Sequence, residues 1–133
     1  MNSLRSVSLQ ISGASIDPNA LTRTLGVTPT TSRMLSSLPS EPIGLWVLET
    51  RGLVLGDRLV DHIRWLLSRL AGAEAELRAL REYSHVELLA AGAPDAWDWA
   101  GMEGDDLATP LGLELAFVVF RPGPREIRIT GAG

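Results

Sequence analysis

The residues best suited to chemistry in this 133-residue chain are two histidines, a Ser/Thr-rich stretch, and a loop that mixes tryptophan with acids. Histidine is the usual general acid or base near neutral pH. His62 sits at the edge of the apolar stripe of a helical segment, and His85 opens a strand-like segment. Neither belongs to a metal-ligand spacing such as HExxH or HxH, so no metal site is expected. Serine and threonine crowd Thr28–Ser40, but a nucleophile elbow needs Gly-x-Ser-x-Gly between strand and helix, and that pattern is missing. Turn chemistry explains these hydroxyls; the functional reading is a small-ligand loop of Thr28, Thr30 and Arg33 closing over Trp46. No glycine-rich phosphate loop is present. Leu53-Val54-Leu55-Gly56-Asp57 precedes a helix N-terminus, a generic anion position, but Asp57 would repel an anion there and reads as the cap. Neither catalytic residues nor a cofactor site is therefore assigned.

The most suggestive segment is Pro94–Asp106. Trp97 and Trp99 share a face if the chain is extended there, and Asp95, Asp98, Glu103, Asp105 and Asp106 surround them. The acids lack EF-hand spacing. One reading folds both rings over a sheet. The other makes Trp97 and Trp99, with Asp95, Asp98 and Asp105, an acidic surface for a basic protein. Trp65 belongs with them: the apolar residues Leu59, Val60, Ile63, Leu66, Leu67 and Leu70 form one helical stripe, and Trp65 points away from it.

These residues need a scaffold. Ser6–Ser12 alternates as an antiparallel strand with one wet face. Asp17 caps a helix that has Pro18 at its first position and stops at Gly26. Val27–Pro42 reads as an irregular connection and Leu45–Thr50 as an interior strand. A long helix spans Asp57–Leu70, and a weaker one Ala73–Tyr83. Val86–Ala90 is a third strand, and Leu113–Phe120 and Glu126–Thr130 form a hairpin around a Pro-Gly turn. The sum is a single α+β domain over residues 1–133. It has an antiparallel or mixed sheet of about five strands, a helix pair on one face, and a flexible tail at 130–133.

Ile16-Asp17-Pro18, Leu21, Leu25-Gly26-Val27-Thr28-Pro29-Thr30, the strand Trp46 and the Leu59–Leu80 helix pair resemble a bacterial family, domain of unknown function 4279. The resemblance runs over about Leu4–Phe120, implies an α+β fold, and supplies no chemistry. The chain departs from it after the Pro-Thr pair, where Arg33 is followed by Met34 and Leu35 and not by glycine. It departs again at Phe120, which stands where a tyrosine would end a strand.

Composition narrows the function classes. The net charge is −4, all twelve cations are arginine, and no basic face is visible, which argues against nucleic acid. Arginine stacks on aromatic rings, so Arg–Trp contacts are expected. The absence of cysteine excludes disulfides and thiolate metal sites and fits a reducing cytoplasm. No signal peptide or apolar span of about 20 residues is present, so no membrane role is expected. The reading is a cytoplasmic, non-enzymatic protein-interaction module, homodimeric or resembling an immunity or antitoxin protein. The alternative is a ligand sensor with a pocket between sheet and helices.

Overall fold

The computed structural model describes residues 5–35, 42–102, 115–120 and 126–130. The 130–133 tail, beyond Thr130, and Glu103–Glu114 lie outside them. The elements run β1 (Val7–Gly13), α1 (Pro18–Leu25), β2 (Thr31–Leu35), β3 (Ile43–Glu49), α2 (Leu59–Arg69), α3 (Glu74–Leu80), β4 (His85–Ala91), a short 3-10 turn at Pro94–Ala96, β5 (Leu115–Phe120) and β6 (Glu126–Thr130). The strands form one mixed sheet, ordered β2-β3-β1-β4-β5-β6. Among the described strands β4 and β5 pair in parallel and the other neighbours antiparallel, β5–β6 being the expected pair.

Alternation in β1 sets the layers. Val7, Leu9 and Ile11 are fully buried, whereas Ser8, Gln10 and Ser12 stay half-buried on the other face. Leu21 and Leu25 of α1, Leu59, Ile63 and Leu66 of α2, and Leu77 and Leu80 of α3 join the Val7–Leu9–Ile11 face in one core. A buried leucine contributes about 1.5–3 kcal/mol relative to an exposed one, so these stripes fix all three helices on that face. The first helix is terminated as its sequence dictates. Asp17 accepts from the Asn19 and Ala20 amides, and Gly26 takes the left-handed conformation at φ 72°. Gly44 lies where β3 passes beneath the turn leading into α1, and a Cβ there would run into the Ile16 carbonyl.

Two expectations need correction. Residues 31–35, within the connection read as irregular, form the edge strand β2, whose five residues are all exposed. Its stability comes from pairing with β3, not from burial, so alternation gives no signal. Asp57 is also not the α2 cap. Arg58 holds that position and makes no side-chain cap bond. The Leu59 amide is bonded by the Asp98 carbonyl at 3.0 Å, and the Asp98 amide returns to the Asp57 carbonyl at 2.8 Å. The helix start is thus satisfied by a strap some forty residues downstream, a partner that no local pattern reveals.

Candidate functional site

The expected interaction residues divide between core, boundary and surface. Trp97 is 4% exposed, donates Nε1–H to the Ala91 carbonyl at 2.9 Å, and is a core ring rather than an exposed anchor. Trp99 is half-buried, donates to the Pro94 carbonyl at 2.9 Å and lies 5.7 Å from Phe117. Trp65 is half-buried against the core, with the Arg69 guanidinium 5.2 Å over its ring, an Arg–Trp contact of the expected kind. Asp95 and Asp98 are exposed, and Asp98 accepts from the Ala100 amide in a local turn. Asp105 lies outside the described residues.

The expected ligand group divides between the two faces of the sheet. Trp46 is fully buried and donates Nε1–H to the Thr22 hydroxyl at 3.1 Å. Cross-strand partners share a face. Ser32 is opposite Trp46, while Arg33 is opposite Leu45 and so faces away from Trp46. The Thr30 hydroxyl accepts from the Glu49 amide at 2.9 Å, stitching the entry of β2 to β3, and Thr28 is exposed. A cleft of about 240 Å³ does exist, but between α1 and α3; Ile16, Asp17, Ala20, Glu76, Leu80 and Tyr83 help to line it, and Trp46 does not.

The arrangement that sequence reasoning missed centres on His62. Two leucines, Leu53 and Leu55, are 61% and 83% exposed on the turn between β3 and α2. Gly52 and Gly56 flank them at φ 78° and 89°, left-handed backbone that glycine adopts without strain. The base of the turn is tied inward. Leu53 and Val54 donate their amides to the Thr50 carbonyl at 2.8 and 3.0 Å. The Gly56 carbonyl is 3.1 Å from His62 Nε2. A carbonyl only accepts, so Nε2 carries the proton and Nδ1 is left as acceptor. Nδ1 therefore accepts from the Thr50 hydroxyl at 2.6 Å, and that oxygen accepts from the Val7 amide at 3.0 Å.

His62 is fully buried, and Trp97 stands edge-on to it with ring centroids 5.0 Å apart. Burial pushes the His62 pKa below its usual value, against the Gly56 hydrogen bond and the Asp61 carboxylate, which favour the charged ring. Both ring nitrogens are engaged, and the Thr50 hydroxyl serves two partners, accepting from Val7 and donating to His62. The cluster holds a neutral imidazole and joins β1, the turn, α2 and the tryptophan strap. The signal available in the sequence was two leucines between two glycines, ahead of a helix carrying a histidine at the margin of its apolar stripe.

Among the described residues, no group of three or more His, Asp or Glu side chains could hold a metal ion, and no helix is long and apolar enough to cross a membrane. No curated protein and no solved structure matches the chain. One family model does, Domain of unknown function (DUF4279), over residues 2–91. That span takes in β1 through β4, including the leucine turn and His62, and ends before the Trp97–Trp99 strap and well before Phe120. The chain belongs to the DUF4279 family.

Proposed function

We propose that this domain is a non-enzymatic, cytoplasmic protein-interaction module that docks through the Leu53–Leu55 turn. The observation that carries the reading is the 83% exposure of Leu55, beside Leu53 at 61%, on a turn whose base is fastened by buried hydrogen bonds. A pre-fastened turn loses little conformational freedom on binding. Burying the exposed part of both leucines in a partner's apolar pocket would contribute about 2–4 kcal/mol, from about 1.5–3 kcal/mol for a leucine taken from fully exposed to fully buried. Arg51, Asp57 and Arg58 are exposed around the turn and would form a charged rim. An enzymatic role is disfavoured because both His62 nitrogens are engaged by Thr50 and Gly56. An immunity- or antitoxin-like blocker and a homodimer are two forms this docking could take.

The test is the double substitution Leu53→Ser with Leu55→Ser, compared with wild type by size-exclusion chromatography and by co-purification at equal expression. The reading expects a defined complex or dimer in wild type and its loss in the variant, with the circular dichroism spectrum unchanged. A complex that survives the double substitution contradicts it. A second reading, a ligand sensor, is favoured by the α1–α3 cleft, whose ionisable lining residues are the acids Asp17 and Glu76 and the phenol Tyr83. That lining suits a small organic cation. Saturation-transfer NMR with alkylamines and guanidines, repeated on Glu76→Gln, tests it.

A further inference from the structure

The turn that presents the two leucines is fastened to a titratable group. We propose that His62 is an acid-operated latch: protonation of its ring releases the Leu53–Leu55 turn and the Trp97–Asp98 strap from the start of α2. The meaning of the release for docking rests on the function proposed above; the release itself does not.

The geometry admits only the neutral ring without rearrangement. Nε2–H donates to the Gly56 carbonyl, Nδ1 accepts from Thr50, and Thr50 accepts from Val7. A second ring proton on Nδ1 would meet the hydroxyl hydrogen now placed on that line. The Thr50 hydroxyl must then rotate and give up its acceptor, and the charge stands in a fully buried site edge-on to Trp97. The ionisable groups on the surrounding elements are Asp61, Arg64 and Arg69 on the same helix, Arg51, Asp57 and Arg58 on the turn and helix start, Asp98 on the strap, Glu49 at the end of β3, and Arg5 ahead of β1, which donates to the Ala96 carbonyl beside the strap. Glu49 and Arg5 are half-buried, the others are exposed, and β1 itself, which contributes the Val7 amide, carries none. Water has to reach the charged ring. β1 is held by the two ladders of the sheet interior, and α2 by its buried stripe. The turn is held by the Thr50 base, the Gly56–His62 bond and the Asp57–Asp98 bond, with glycine at both of its ends. It is the element that gives way.

Five amides read the latch by residue-resolved hydrogen exchange on the full chain: Val7, Leu53, Val54, Leu59 and Asp98. With rates corrected for intrinsic exchange, local opening should rise by up to about tenfold per pH unit below about pH 6.5, levelling off at the folded-state pKa. Gly26 and Leu70, whose amides close helices elsewhere, should keep their protection across the same range. His62→Gln should abolish the pH dependence. If that variant does not fold, Asp61→Asn carries the test: losing an exposed carboxylate that favours the charged ring should move the His62 ring resonances to a lower-pH titration. Flat protection at the five amides would overturn the latch. So would a loss shared equally by Gly26 and Leu70, because that is global destabilisation. The exchange reads the turn without any partner, so a failed docking experiment and a failed latch are separate results.

Discussion

Replacing Thr50 with valine should be among the most damaging conservative substitutions in the domain. The side chain is fully buried, and valine matches its shape, so no cavity forms. What disappears is one oxygen that accepts from the Val7 amide at 3.0 Å and donates to His62 Nδ1 at 2.6 Å. Both partners remain buried, and each is left unsatisfied. An orphaned buried donor or acceptor costs about 1–3 kcal/mol, so Thr50→Val should lose about 2–6 kcal/mol. That is a large share of the roughly 5–15 kcal/mol typical of a domain. Thr50→Ser keeps the oxygen and removes one methyl group, for a cost of about 1 kcal/mol. Urea denaturation at pH 7.5, followed by tryptophan fluorescence and circular dichroism, measures both. Equal stability for the valine and serine variants would refute the view that the hydroxyl relay, and not burial alone, secures this corner of the fold.

Four further outcomes follow from the packing. Because burial lowers the folded-state pKa of His62 below its unfolded value of about 6.5, the unfolded chain binds more protons within that window. The His62 contribution is therefore fully present above about pH 7, shrinks as pH falls through about 6.5, and levels off below the folded pKa; urea midpoints across pH 5–8 should show this slope in wild type and not in His62→Gln. Gly44→Ala should destabilise by about 1–3 kcal/mol, because the new methyl meets the Ile16 carbonyl, and a melting temperature equal to wild type would contradict the contact. Leu77→Ala should cost about 2–5 kcal/mol because that side chain is fully buried, whereas Leu55→Ser, at a position 83% exposed, should shift stability by about 0.5 kcal/mol or less.

Much of the scaffold was legible because its signals are local. The alternation of Ser6–Ser12, the Asp17-Pro18 start and Gly26 stop, the α2 stripe and the antiparallel pairing of β5 with β6 each appear at their expected place, the Pro-Gly turn itself lying outside the described residues. The failures share a cause: their partners are distant in sequence. β2 exists through its ladder with β3 and buries none of its residues. The α2 start is capped by Asp98. His62 looked marginal on the helical wheel but is sealed by Thr50 and Trp97, which come from opposite sides in the chain. The same strap explains the tryptophans. Once residue 98 bridges to residue 58, Trp97 turns inward over His62 and Trp99 toward Phe117, while Asp95 and Asp98 stay exposed. Leu53 and Leu55 are the most exposed large hydrophobics among the described residues, and in sequence they are no more than the approach to a helix.

The central claim is that this leucine turn is where the domain meets its partner, and site-specific photo-crosslinking tests it most directly. A benzophenone amino acid placed at position 55 should give, on irradiation in cells, one discrete adduct of fixed mass. The Leu53→Ser background should diminish that adduct, and a probe at Arg78, an exposed position on α3, should not give it. An adduct pattern at 55 indistinguishable from that at 78 would contradict the account.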